Sequence, residues 1–250
     1  MGNLEKLIYS SLCLCKYLEN WSATICGSQH LRGLTLEGRN SIPGDLWKFE
    51  SLETLSLISV EIRHLPESIC MLKHLKTLQI SNCWVIEQLP EDICGLECLE
   101  KLDIWDCTSL RDIPNSICKM KCLKHLRLAG CYKVEELPEK LGCLECLEKL
   151  DLKGCTSLRE IPNNICKMKC LKHLNLSNCD QVEKLPEEFG CLKCLKKLDI
   201  DGAGINSLPR SIFQLKGLRI FGSIEQLQSY GFTTSPERAS NYKYGYYVEL

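Results

Sequence analysis

With 250 residues, 44% hydrophobic and 25% charged, the chain holds enough apolar material for a substantial core and does not read as a disordered segment. A formal net charge of -1 leaves no basic footprint of the kind nucleic acid requires. No run approaches the roughly 20 apolar residues of a membrane helix, and Leu12 to Leu14, soon followed by Lys16, is too short for a secretion signal. Position 6 is Lys where a Met-Gly myristoylation motif needs Ser or Thr. The expectation is a soluble, cytoplasmic or nucleocytoplasmic chain with neither nucleic acid nor membrane as partner.

Residues 1–30 hold only degenerate fragments of the period that dominates the rest. Gly2-Asn3-Leu4-x-x-Leu7 looks like the end of a crossover running into a strand, with no polar cover. From residue 31 the period is regular. Eight of the nine prolines, at 43, 66, 90, 114, 138, 162, 186 and 209, follow Leu or Ile and recur every 23 or 24 residues. Between them lies one frame, clearest at Leu99, Leu102, Ile104, Cys107, Leu110, Ile113-Pro114, Ile117 and Met120. It repeats at Leu75/Leu78/Ile80/Cys83, Leu123/Leu126/Leu128/Cys131, Leu147/Leu150/Leu152/Cys155 and Leu171/Leu174/Leu176/Cys179. Leu195/Leu198/Ile200 continues it with Ala203 in the Cys place, and Leu31/Leu34/Leu36 and Leu52/Leu55/Leu57 are looser copies. That makes eight expected strands between 31 and 200, and Leu218, Phe221 and Ile224 suggest a last partial one.

Leu102 and Ile104 alternate with Asp103, so each strand buries its aliphatics and turns its polar residues to the opposite face. Consecutive strands are expected to pair in parallel, which demands a crossover of about a dozen residues. Proline biases the residue before it towards extended backbone and suits the first turn of a short helix, whose Ile117 and Met120 then face the core. Neither piece can bury its apolar side alone, so the repeats stack. From Lys101 to Cys131 and from Lys149 to Cys179, 23 of 31 residues are identical, a second period of 48 residues. Differences such as Trp105/Lys153, Asp106/Gly154 and Arg127/Asn175 fall mostly where strand residues are expected to point outward.

Nineteen cysteines include two Cys-x-x-Cys pairs, Cys143/Cys146 and Cys191/Cys194. They follow the repeat too: Cys98, Cys122, Cys146, Cys170 and Cys194 directly precede the first strand leucine, and Cys83, Cys107, Cys131, Cys155 and Cys179 close the strand. A third row comprises Cys94, Cys118 and Cys166, with Cys143 and Cys191 displaced by one. Periodic cysteines are read as small buried hydrophobes, and a strand-closing thiol, a weak donor, is expected to rely on packing. A metal is not expected, since zinc motifs pair their Cys-x-x-Cys units at short separation and these lie 48 residues apart. His125 and His173 fall at equivalent strand positions without a nucleophile at recognisable spacing. Asp103, Asp151 and Asp199 line up on alternate strands, balanced by Lys101, Lys149 and Lys197 two residues earlier. Phosphate-binding glycine motifs are absent from the sequence, and neither a cofactor nor catalysis is expected.

The phrases Leu65-Pro66-Glu67-Ser68-Ile69-Cys70, Leu89-Pro90-Glu91-Asp92-Ile93-Cys94 and Leu185-Pro186-Glu187-Glu188-Phe189-Gly190 resemble leucine-rich repeats of plant intracellular nucleotide-binding immune receptors. So do Leu75 to Cys83 and Gly202-Ala203-Gly204-Ile205-x-x-Leu208-Pro209. The likeness is strongest to the disease-resistance class with a Toll/interleukin-receptor-like domain. It implies an α/β fold, a leucine-rich-repeat solenoid forming a right-handed β-α superhelix with a concave parallel sheet. It also implies a recognition module working with a nucleotide-binding switch domain that these residues do not contain. The organisation expected is a degenerate, uncapped N-terminal part (1–30), the solenoid (31–223) and a cap or flexible tail (224–250), the last portion or truncated descendant of a longer protein. The expected function is binding a protein partner on the concave face through Lys101, Asp103, Trp105, Arg127, Asp151, Lys153, His173, Asn175, Asp199 and Asp201, with Trp105 as anchor. That partner is an effector, a guarded host protein, or the switch domain of a parent receptor in cis or in trans. Alternatives are a ubiquitin-ligase substrate adaptor or general scaffold, and an extracellular receptor ectodomain, which the missing secretion signal and capping cysteines disfavour.

Overall fold

In a computed structural model, residues 9–13, 30–38, 42, 45–233 and 246–250 are described. The alternation of aliphatic and polar residues produces one eleven-stranded sheet whose strands follow chain order. The eight strands expected between 31 and 200 are β2 (Gly33–Glu37), β3 (Thr54–Ile58), β4 (Thr77–Ser81), β5 (Lys101–Trp105), β6 (His125–Ala129), β7 (Lys149–Asp151), β8 (His173–Asn175) and β9 (Lys197–Asp199). β1 (Tyr9–Cys13) precedes them, and β10 (Arg219–Gly222) follows, all in parallel. The register keeps equivalent residues side by side: Leu78, Leu102, Leu126, Leu150, Leu174 and Leu198 form one line, each at most 1% exposed. A core continuous from Leu31 to Leu227 results.

The crossovers differ from the expected helical turn in one respect. They are 3-10 turns, as at Glu67–Met71, Asn115–Lys119 and Asn163–Lys167, and the proline stands just before them rather than inside. Pro66, Pro114 and Pro209 keep ψ near 140°, extended backbone. Their carbonyls still accept the first turn hydrogen bond, from the Ile69, Ile117 and Ile212 amides. A crossover of this length has room for one tight turn, and 3-10 geometry covers more distance per residue than α. Ile117 and Met120 face the core as expected.

At the C-terminal end the frame slips by one residue. Ile220, not Phe221, pairs with Leu198 and enters the core, while Phe221 turns to the outward face beside Asp199. Ile224 is not a strand residue; it opens helix α1 (Ile224–Ser229), capped by Ser223 Oγ accepting from the Gln226 amide. β11 (Tyr246–Glu249) pairs antiparallel with β10, so the backbone groups on that side of β10 are not left open to a further strand. The proposed uncapped start falls largely outside the described residues, as do Pro43 and residues 234–245 of the tail.

The cysteine rows part company. Cys83, Cys107, Cys131, Cys155 and Cys179 are fully buried, whereas Cys98, Cys122, Cys146, Cys170 and Cys194 are exposed. The expectation of uniformly buried thiols is therefore corrected. In the third row Cys166 is buried, Cys94 and Cys118 are half-buried, and the displaced Cys143 and Cys191 are exposed. The strand-closing thiols also do more than pack. Cys155 Sγ donates to the Leu128 carbonyl and Cys179 Sγ to the Leu152 carbonyl, each at 3.1 Å, tying a turn to the preceding repeat. Burial pushes the Cys131 and Cys179 thiols up to about 12, so they stay protonated and Cys179 remains a donor.

Candidate functional site

Because the register holds for five consecutive strands, the outward residues form columns. The first runs Lys101, His125, Lys149, His173, Lys197 and on to Arg219. The second runs Asp103, Arg127, Asp151, Asn175, Asp199 and Phe221. Trp105 ends β5 in a third position, with Lys153 and Asp201 just beyond the ends of β7 and β9. The ten residues expected on this face are thus on it, in three files across β5–β9. The sequence-based selection omitted His125, Lys149, Lys197 and Phe221. The same 24-residue period locates the first three. Phe221, expected only as part of a last strand, reaches this face through the one-residue slip, which is invisible before the strands pair.

Arg127 is the centre of the middle portion. Its Nη1 is 3.6 Å from Asp103 Oδ1, its Nε 3.3 Å from Asp151 Oδ2, and its guanidinium lies 5.8 Å from the Trp105 ring centre. Neither Asp103 Oδ1 nor Arg127 Nε makes an aligned hydrogen bond, so proximity of charge holds the group. Lys101 Nζ closes over Asp103 Oδ2 at 2.9 Å, leaving the carboxylate side chain 8% exposed. Asp103 is consequently covered by its neighbours and presents no face to a partner; its part is to position Arg127.

Asp151, Asn175 and Asp199 are also partly committed. Asp151 Oδ1 accepts from the Lys153 amide at 3.2 Å, Asn175 Oδ1 from the Ser177 amide at 3.0 Å, and Asp199 Oδ1 more loosely from the Asp201 amide at 3.5 Å. Such side-chain turns compete with the ladder, and β7, β8 and β9 are three residues long where β5 and β6 have five. Burial raises Asp199 from its ordinary value, opposed by Lys197.

Around Lys197 the face deepens into a cleft of about 740 Å³, lined among others by Lys153, Asn175, Asp199, Asp201, Phe221 and Tyr246. Lys197 Nζ sits 4.3 Å from the Phe221 ring centre and 3.5 Å from Asp199 Oδ2. His125 and His173 lie between lysines. Burial first, then Lys149 with Lys101 or Lys197, lowers both imidazoles below their ordinary value, so they add little to the column's positive charge at neutral pH. Among the described residues, no group of three His, Cys, Asp or Glu side chains is arranged to hold a metal ion, and no helix is long and apolar enough to cross a membrane.

A model of the leucine-rich repeat region matches residues 74–153 and 150–228, more than half of the chain. The chain belongs to the leucine-rich repeat family. No curated protein matches this leucine-rich repeat chain. Among solved structures it is similar to the leucine-rich repeat domain of the type III effector XopL, with 30% identity over 85% of this chain and 75% of that one, at a TM-score of 0.76. It is also similar to the plant peptide hormone receptor RGFR1, solved in complex with RGF2 (26% identity, TM-score 0.61), covering 78% of this chain and 33% of the receptor. The Arabidopsis receptor kinase HAESA, solved with the peptide hormone IDA and the co-receptor SERK1, shares the fold at 20% identity and a TM-score of 0.59. The match to HAESA covers 84% of this chain and 45% of that kinase chain.

Proposed function

We propose that this leucine-rich repeat chain is a recognition module of plant intracellular immune signalling that holds a protein partner against its outward sheet face. The observation that carries the reading is the half-exposed Trp105–Arg127 pair, which links the second in-register column to the end of β5 and which the core does not use. Tryptophan and arginine supply a disproportionate share of interface energy. A polypeptide occupant is supported by the RGFR1 domain, solved with RGF2. The immune assignment rests on the resemblance of the Leu-Pro-Glu and Leu-x-x-Leu-x-Ile-x-x-Cys phrases. The partner is an effector, a guarded host protein, or the nucleotide-binding switch domain of a parent receptor in cis or in trans. No bond is made or broken in this role.

Titration calorimetry tests it, with the purified nucleotide-binding domain of a Toll/interleukin-receptor-like-class plant receptor added to the full chain. Trp105→Ala is expected to weaken the complex roughly 30-fold, about 2 kcal/mol, and Lys153→Ala less than about fivefold. Equal losses would count against a patch centred on Trp105, and no complex at all would remove the switch domain from the reading.

A further inference from the structure

The edge of the solenoid where the chain enters each strand carries two columns of charge. One stands just after the first strand leucine, the other two residues before it. The column after the leucine is a hydrogen-bonded series: the Glu148 amide donates to the Lys124 carbonyl, Lys172 to Glu148, Lys196 to Lys172 and Arg219 to Lys196. In the first repeats Glu50 of one column and Arg32, Glu53 and Lys76 of the other line a single hollow, so the two columns share a face.

Along most of this edge the charges cancel. Lys73 meets Glu97 at 3.2 Å, Lys76 meets Glu53 and Lys124 meets Glu100 at 2.8 Å, and Lys172 meets Glu148 at 2.9 Å. Each pair joins neighbouring repeats, so the sign alternates with the 48-residue unit. The alternation then stops in both columns at one repeat. Lys193 and Lys196 stand where the two earlier copies hold Glu97 with Glu100 and Glu145 with Glu148. Lys169 and Lys172 precede them and Lys216 follows, all exposed. Arg219 meets Glu249 at 3.0 Å, but among the described residues no ion pair involves Lys169, Lys193, Lys196 or Lys216. Lys193 reaches only the neutral Gln214 Oε1, at 3.5 Å. Like charges side by side on adjacent strands oppose folding, so the fold gains nothing from the exchange.

We propose that this lysine edge is a second interaction surface, separate from the outward sheet face, that docks an acidic segment of a protein partner. Adjacent strands are ~4.8 Å apart, so a short run of Asp and Glu laid along the edge meets a lysine at each repeat. Lysine is a compact point charge on a flexible stem, suited to a carboxylate chain of no fixed geometry. Between the two columns stand Cys170, Cys194 and Gly217. They offer no aromatic ring to stack on a base and no bulky apolar group to enter a bilayer.

The test is a fluorescence-anisotropy titration of a labelled octaglutamate peptide with the full chain at about 50 mM salt, where binding is expected and should weaken as salt rises. Lys193→Glu with Lys196→Glu restores a sign pattern that the two earlier copies already accommodate, so the variant should melt no lower than the unaltered chain. It should weaken peptide binding roughly tenfold or more. Lys121→Glu with Lys124→Glu, the same reversal in the alternating part, should weaken it less than about threefold. Trp105→Ala should leave it unchanged, which separates this surface from the outward face. Absence of saturable binding, equal losses in the two charge-reversal variants, or tighter binding of a single-stranded octanucleotide or of phosphatidylserine vesicles than of the peptide would overturn the proposal.

Discussion

Two rows of five cysteines, each with a 24-residue step, have opposite fates. Cys83 to Cys179 close the strands, are sealed in the core, and those at 155 and 179 hydrogen-bond across to the preceding repeat; Cys98 to Cys194, just before the first strand leucine, face solvent. The lesson is that a period shows equivalence between repeats but not orientation. A residue next to a buried leucine is on the other side of the chain, and only the path of the turn says whether that side is covered.

The sharpest way to break this comparison is to charge both rows. Cys155→Asp puts a carboxylate where no water reaches and is expected to cost about 3 kcal/mol or more. Cys146→Asp is expected to stay within about 0.5 kcal/mol, both read by urea unfolding. Equal costs would merge the rows.

Alkaline pH separates them next. The Cys131 and Cys179 thiols titrate near 12 when folded but near 8.5 in an unfolded chain. Between those values the unfolded chain holds fewer protons than the native one, so stability falls as pH rises. The expected slope is about 1.4 kcal/mol per pH unit for each thiol, measured by denaturant midpoints from pH 8 to 11. Cys131→Ala should flatten that slope, and an unchanged slope would place the titration elsewhere.

A smaller effect distinguishes two strand-exit turns. Gly130 and Gly154 adopt φ +72° and +71°, as does Asp106 at +53° one repeat earlier. A methyl group on Gly130 would collide with Asp106 Oδ1, whereas at Gly154 the nearest atom is 3.7 Å away. Gly154→Ala is expected to cost about 1 kcal/mol from backbone strain alone, and Gly130→Ala roughly 1 kcal/mol more. Asp106→Gly should recover part of the excess in the double variant, a coupling that thermal melts would reveal.

The smallest expected effect lies on the first outward column. His125 and His173 have lowered folded values, so the unfolded chain, titrating near 6.5, takes up protons first as pH falls. Stability should decline gently below that pH and level off once the folded imidazoles are charged. His125→Gln with His173→Gln should remove the decline; its persistence would assign it to other groups.

The strands were legible because Leu102, Ile104 and their equivalents recur without insertion, and the outward columns follow wherever the step stays at 24. Legibility failed where a side chain's role depends on another repeat. Asp103 looked like a partner contact, but Arg127 one repeat on and Lys101 beside it cover it. The Asp106/Gly154 difference looked like face chemistry, yet both residues are in left-handed turns beyond the strand. Phe221 changed sides because the last repeat pairs one residue out of the earlier frame.

Repeat length, aliphatic alternation and the prolines by themselves determined the eight strands between 31 and 200, their parallel order and the buried line from Leu78 to Leu198, since a short repeat has no other way to bury one face. What only the tertiary structure decided is which polar and sulfur-bearing residues are open to solvent. Exposure is set by the side chains of the adjoining repeats, and a residue's neighbours in that direction are about 24 positions away, where no local pattern registers them.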